Sequence, residues 1–310
     1  MTGLPDRDAR SGLWLGVLAA FAANTIWGLN PLYFGLLDHV PAPELLAHRI
    51  FWGGVFAVVF CLASGRVGSV AGVFRSPCAL AGLAVTAMLV TLNWLVYLFA
   101  IQSERVTEAG FGFYLMPLVA VTLGVVLLGE RLGRLRWAAV ALAALAVAGL
   151  AVSQESVPVA SLVIAISFGT YGLLRKRMAT GAITGFAVEA LLLTPFALGW
   201  LLLVHDSRGG AFGADAGDTA LLILSGPITG LPLILFAEAA RRLAYSTVGI
   251  LQYINPTLQI GCALLLLGEP VTPALVLALG LIWAALALYS LSLVRPGQPP
   301  EPPGPRSAAS

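Results

Sequence analysis

The sequence predicts an all-α integral membrane protein of ten transmembrane helices arranged as two inverted five-helix repeats. Three observations carry this expectation. The 310 residues are 59% hydrophobic and only 10% charged, whereas soluble domains carry about 25% charged residues, so there is too little charge to cover a water-facing surface. Apolar runs of about 20 residues, the length that crosses a bilayer, recur along the chain. Finally, Tyr114, Pro117, Gly129 and Glu130 reappear as Tyr253, Pro256, Gly268 and Glu269, each displaced by 139 positions.

The elements follow in order. The first span, 12–36, is too long for a cleavable signal peptide, and many similar runs follow it. It carries Trp27, Asn30 and Tyr33 at three-residue spacing. The second, 44–65, holds Glu44, His48 and Arg49. The third, 77–102, places Asn93 and Tyr97 on one helix face, four residues apart, with Trp94 beside them. The fourth, 106–128, opens on Glu108, where a carboxylate suits the positive end of the helix dipole. The fifth is 136–153, and the sixth, 157–174, ends at Arg175-Lys176-Arg177. The seventh, 183–204, contains Glu189 among apolar neighbours. The eighth, 218–239, is interrupted by Pro227 and Pro232. The ninth, 246–267, holds Tyr253, Asn255, Pro256 and Gln259, and the tenth is 272–294. The Pro-rich polar tail 295–310 is expected to be disordered, and 1–11 forms a short leading tail.

Basic residues orient the spans, because Lys and Arg accumulate on the cytoplasmic side. With the N-terminus inside, 14 of the 17 basic residues fall in inside segments, two (Arg105 and Arg208) fall outside, and Arg49 lies within a span. Both termini are therefore expected in the cytoplasm of a cell whose inner membrane holds the protein. Five spans per half make the second half, 157–294, enter from the side opposite to the first, 12–153. Weaker echoes extend the repeat: Trp27-Gly28 onto Phe168-Gly169, and Tyr97-Leu98-Phe99-Ala100 onto Ile234-Leu235-Phe236-Ala237. Inverted repeats are a common build for secondary transporters, with the substrate path between the halves.

Further segments carry a family resemblance. IWGLNPLYFGLLDHVPAPELLAHRIFW (26–52), LNWLVYLFAIQSERVTEAGFGFYLMPLV (92–119), LGERL (128–132), FGTYGLLRKR (168–177), STVGILQYINPTL (246–258) and LLGEP (266–270) resemble RarD proteins, in the EamA branch of the drug/metabolite transporter superfamily. VPAPELLAHR and QYINPT are the most specific; the Gly-Glu pairs are shared more broadly. The resemblance implies a ten-helix inner-membrane permease and does not fix a substrate. Two positions depart from the family pattern: Met116 stands where relatives carry a polar Asn, and Glu238 where they carry a small or neutral residue.

Charge inside a membrane is costly, about 2.5 to 3.5 kcal/mol for Arg at a helix centre on insertion scales. This singles out Arg49 and Glu189. Arg49, with His48, either faces a cavity and binds an anionic group such as a carboxylate, or it snorkels or pairs with Glu44 near the interface. Glu189 is either a proton acceptor, a counter-charge to Arg49, or half of a structural ion pair. Asn93 and Tyr97 are either a cavity wall or an interhelical hydrogen-bonding pair. Pro117 and Pro256 each free a carbonyl in mid-helix, with Tyr253 and Asn255 alongside. The candidate substrate site is thus Trp27, Tyr33, His48, Arg49, Asn93, Tyr97, Glu189, Tyr253 and Asn255. Glu130 and Glu269 are expected to shape turns and pair with Arg, and Arg175-Lys176-Arg177 to anchor topology. Gly12/Gly16, Gly181/Gly185 and Gly226/Gly230 have the G-x-x-x-G spacing of helix packing contacts.

The expected function is a secondary transporter exporting small metabolites or drug-like solutes by alternating access, with protons as a coupling ion left open. The alternatives are a lipid-linked-substrate flippase and an intramembrane enzyme; the latter is disfavoured because H-E-x-x-H, Asp-rich and G-x-S-x-G motifs are missing. No P-loop is present, so this chain does not drive transport with ATP. The cysteines Cys61, Cys78 and Cys262 lack metal-ligand spacing and are expected to pack; no catalytic residue, metal or cofactor is expected. A net charge of +2 and the lack of basic stretches interleaved with aromatics argue against nucleic acid. The partners expected are a small-molecule solute and membrane lipid, for a monomer or homodimer.

Overall fold

In a computed structural model of the chain, residues 7–103, 106–152, 159–208, 210–266 and 273–294 are described. The leading residues 1–6, Gly268, Glu269 and the tail 295–310 lie outside them. The described chain is built of helices: α1 (Arg7–Gly35), α2 (Ala42–Ala63), α3 (Val67–Phe74), α4 (Pro77–Gln102), α5 (Val106–Leu128), α6 (Arg134–Val152), α7 (Val159–Arg177), α8 (Ala182–Arg208), α9 (Ala216–Arg242), α10 (Tyr245–Leu251), α11 (Ile254–Leu266) and α12 (Pro273–Val294). Among the described residues, nine helices are long and apolar enough to cross a membrane.

The one expected span not among these nine helices, the ninth, is divided into α10 and α11. The expected interruption of the eighth span does not occur: α9 runs through both Pro227 and Pro232. Instead the ninth span breaks just before Pro256, at Gln252 and Tyr253. A proline ring clashes with the carbonyl four residues earlier, here that of Gln252, while its missing N–H is tolerated in a first turn. Pro256 therefore sits in the first turn of α11, whereas its counterpart Pro117 is carried inside the unbroken α5. The short helix α3 was not expected. It lies between the second and third expected spans, and it packs on α4 and α8.

The outer faces are apolar. Met88, Phe99 and Phe196 are 70%, 70% and 77% exposed, while Asn24, Thr86, Ser161 and Ser225 are fully buried. Such an inside-out distribution suits lipid and not water, because helices satisfy their own backbone groups and leave hydrocarbon on the outside. Small residues let the helices approach. A Cβ on Gly226 would strike the Trp52 carbonyl group of α2, and one on Gly16 would come within 2.9 Å of Leu243. Cys61 and Cys262 are buried as expected of packing residues; Cys78 is exposed. Met116 is buried in the apolar core.

Neighbouring helices follow a regular scheme. α1 lies on α9 and α11, and α7 lies on α4 and α5; α2 lies on α9, and α8 on α4; α2 also meets α8, α5 meets α10, and α6 meets α12. Exchanging α1, α2, α4, α5 and α6 for α7, α8, α9, α10–α11 and α12 interchanges the first six of these contacts in pairs and turns each of the last three into itself. Residues related by the sequence echoes touch. The Tyr253 hydroxyl donates to the Tyr114 carbonyl at 3.3 Å, and the Trp27 and Phe168 rings are 5.5 Å apart, edge to face.

Candidate functional site

Arg49 and Glu189 line one small cavity between α2, α4, α8 and α9, with Ile50, Val90, Trp94, Phe186, Thr229 and Leu233 among the other walls. Its volume is about 20 Å³, room for a single water. Arg49 reaches it from α2. Its Nε donates to Thr229 Oγ1 at 3.1 Å, and its guanidinium carbon lies 4.6 Å from the Phe34 ring centre and 5.4 Å from that of Trp94. Cation–π contacts of this kind hold the planar group in place and strengthen when desolvated. Tyr33 and Tyr97 are near enough to interact electrostatically with it.

Glu189 reaches the cavity from α8 and is 3% exposed. Thr86 of α4 donates to its Oε1 at 2.6 Å, and Tyr171 of α7 to its Oε2 at 3.4 Å. Its charged partner is not Arg49 but Arg175, whose Nε stands 3.6 Å from Glu189 Oε1. The expectation that Arg175 merely anchors topology with Lys176 and Arg177 is corrected here. Arg175 is 1% exposed and its Nη2 donates to the carbonyls of Gly181 and Ala182 at 3.4 and 3.1 Å. Gly185 makes room, since a Cβ there would fall on the guanidinium. The one sequence signal for this role was spacing: Tyr171 and Arg175 are four apart, on one helix face.

Of the alternatives for Arg49, the Glu44–Arg49 pair is not formed. Glu44 Oε1 accepts the Ala211 backbone N–H at 2.6 Å, because the α8–α9 loop folds over the start of α2. His48, buried, stacks on Phe212 of that loop at 5.5 Å, and Trp52 lies 5.7 Å from the same ring. The Tyr33 hydroxyl donates to the Leu221 carbonyl of α9. His39, between α1 and α2, bonds Asp218 at 2.8 Å, and this hydrogen bond holds the imidazole pKa above its usual 6.5. Asp215 caps α9 through the Gly217 and Asp218 N–H groups; the bonds from Asp218 and Gly217 keep its carboxyl below the usual range. These contacts close the bundle at the His39 end.

The opposite end, around Arg175, is closed as well. Lys176 Nζ donates to the Ala240 carbonyl at 3.0 Å and to that of Leu243, and Arg241 Nη1 donates to the carbonyls of Met178, Ala179 and Thr180. Among the described residues, Glu130 is within ion-pair distance of no arginine. Its carboxylate accepts the Tyr245 and Ser246 N–H groups at the start of α10, at 2.5 and 2.9 Å, where a helix N-terminus favours a negative charge. Glu238 pairs with Arg242 four residues on.

Several sequence candidates lie away from the cavity. Asn93 donates to the Ile164 carbonyl at 2.8 Å and ties α4 to α7. Trp27 packs on Phe168 and Phe236. Tyr253 is fully buried in a second apolar cluster with Tyr114. Asn255 accepts from Gln259 at 2.7 Å. Conversely, Thr86, Tyr171, Arg175 and Thr229 escaped the sequence reading because a hydroxyl or a terminal basic residue on an apolar helix carries no distinctive pattern.

Comparison with known proteins follows the geometry. Residues 14–152 match the EamA-like transporter family. The chain is 40% identical over 288 residues to an uncharacterized transporter of Pseudomonas aeruginosa, covering 93% of this chain and 97% of that one. It is 38% identical over 280 residues to the protein RarD of Escherichia coli, covering 90% and 95%. To the chloramphenicol-sensitive protein RarD of Pseudomonas aeruginosa it is 31% identical, covering 88% and 92%. A solved crystal structure shares its fold, with a TM-score of 0.68 at 22% identity over 89% of this chain and 96% of that one.

Proposed function

Because the chain belongs to the EamA-like transporter family, alongside the RarD proteins, we propose that this membrane transporter is a secondary exporter of small metabolites or drug-like solutes. Its site is the Arg49–Glu189 cavity, used by alternating access. The observation that carries the reading is that the two charged side chains expected to be costliest in lipid line the same cavity. Charged groups within a membrane are kept for pathways and coupling.

In this reading residues 12–153 and 157–294 are inverted repeats, and the exchange of helix neighbours and the Tyr253–Tyr114 and Trp27–Phe168 contacts support it. The distribution of basic residues supports placing the Arg175 end and both termini on the cytoplasmic side of the inner membrane. Both ends are latched, so the present arrangement is an occluded one. Export needs the Lys176 and Arg241 contacts to part first, and the Phe212 loop to lift afterwards. Glu189 is the group through which protons would couple, since it is buried between the two ends.

The test is transport by purified protein in liposomes, with and without a pH gradient. Arg49→Ala should abolish transport while the protein still inserts and folds. Glu189→Gln should retain binding but lose its response to the pH gradient. Full transport by both variants rejects the site.

A further inference from the structure

We propose that the cavity takes a small organic monoanion, a carboxylate on a short apolar body, and that Arg49 is its anchor. This rests on the transporter reading above and names its substrate class.

Charge counting carries the argument. The groups buried around the cavity include two guanidiniums, Arg49 and Arg175, and one carboxylate, Glu189. Glu189 is committed: Arg175 stands beside it, and Thr86 and Tyr171 donate to it. No carboxylate of the described residues lies within ion-pair distance of Arg49. Glu44 is turned to the Ala211 N–H, and Glu238 to Arg242. The guanidinium does not lose its proton in proteins, so the cluster keeps one positive charge without a partner, which is costly at this depth.

The geometry says what neutralises it. Thr229 occupies Nε, and Phe34 and Trp94 flank the guanidinium. The two terminal nitrogens are left as a planar fork, the shape that binds a carboxylate through two parallel hydrogen bonds. The wall beyond is Ile50, Val90 and Leu233, which suits an apolar body. A zwitterion is disfavoured, because its ammonium group would compete with Arg175 for Glu189, and breaking a buried pair is costly. In this arrangement the cavity has room only for a water, so the ligand enters when one latch opens.

The experiment measures thermal unfolding of the full chain in lipid nanodiscs at constant ionic strength. The probes are acetate, butyrate and benzoate, each beside its amide, with butylamine as the cation. At least one carboxylate should raise the melting temperature while its amide and butylamine do not. Its affinity should fall tenfold or more in Arg49→Lys, which keeps the charge and loses the fork, and several-fold in Thr229→Val; Arg49→Gln should not bind it. Stabilisation by the amide or amine equal to that by the carboxylate, no carboxylate effect at all, or unchanged affinity in Arg49→Lys and Thr229→Val overturns the proposal. Those two variants keep the test decisive if Arg49→Gln does not fold. Protein-dependent efflux of labelled benzoate, benzamide and benzylamine separates the two claims. Carboxylate binding without efflux of any probe counts against transport and leaves the anion site standing. Efflux of benzamide or benzylamine alone counts against the anion site.

Discussion

At the scale of single residues, Glu189 shows how a charge is kept in an apolar bundle. Arg175, Thr86 and Tyr171 surround its carboxylate, and each helix that supplies a partner is thereby fixed to α8. Removing one member of a buried pair costs about 3–5 kcal/mol, whereas replacing both is often nearly neutral. Arg175→Met should therefore lower the melting temperature strongly, and Arg175→Met combined with Glu189→Gln should recover most of the loss. Equal melting of the single and double variants would contradict the pairing. His39 gives a pH signature. Its hydrogen bond to Asp218 raises the imidazole pKa in the folded protein above 6.5. The bond's contribution is thus complete below pH 6.5 and disappears as pH rises through the raised value. Compared with His39→Gln, the wild type should melt higher at pH 5.5, and the difference should vanish at pH 9.

At the scale of elements, close helix approach rests on a few glycines. Gly226 of α9 lies against the Trp52 backbone and 2.8 Å, measured from an added Cβ, from the Gly53 nitrogen. Main chain cannot move aside as a side chain can, so Gly226→Ala should push α2 from α9 and cost about 1–3 kcal/mol, as overpacking does. Gly261 of α11 has nothing within 4 Å of such a Cβ. Gly261→Ala should be neutral or stabilising, by up to about 1 kcal/mol from helix propensity. Melting curves of the two variants in the same detergent check the contrast. Gly129, at φ 67°, ends α5 in the left-handed conformation that glycine adopts without steric penalty. The turn it makes delivers the Glu130 carboxylate to the start of α10.

At the scale of the whole molecule, the two latched ends make a prediction about movement. The His39 and Asp218 side chains meet at 2.8 Å, across the ends of α1 and α9. In a background where Cys61, Cys78 and Cys262 are alanine, a short bis-methanethiosulfonate reagent should cross-link His39→Cys with Asp218→Cys, because the gap left by the two longer side chains exceeds a disulfide's reach; this should stop transport, and reductant should restore it. Undiminished transport in the cross-linked protein would show that this end does not open. Orientation has its own check: a membrane-impermeant thiol reagent applied to whole cells should label Ala214→Cys and spare Ala179→Cys.

The sequence by itself determined the class of molecule and the limits of most spans, and it singled out Arg49 and Glu189, which line one cavity. These follow from composition, run length and the cost of charge in lipid, all of which are local quantities. The family was legible too, in segments such as VPAPELLAHR and QYINPT. Tertiary structure alone decided the partners. Glu189 could have answered Arg49 or stood alone, and only the crossing of α7 and α8 gives it Arg175. Asn93, Tyr253 and Asn255 are as polar or aromatic as any cavity residue, yet the faces they occupy meet other helices. The broken ninth span shows the same limit. Pro117 and Pro256 are alike in sequence, but a proline kinks a helix or ends it according to what packs around the freed carbonyl, and that depends on neighbours far away in the chain.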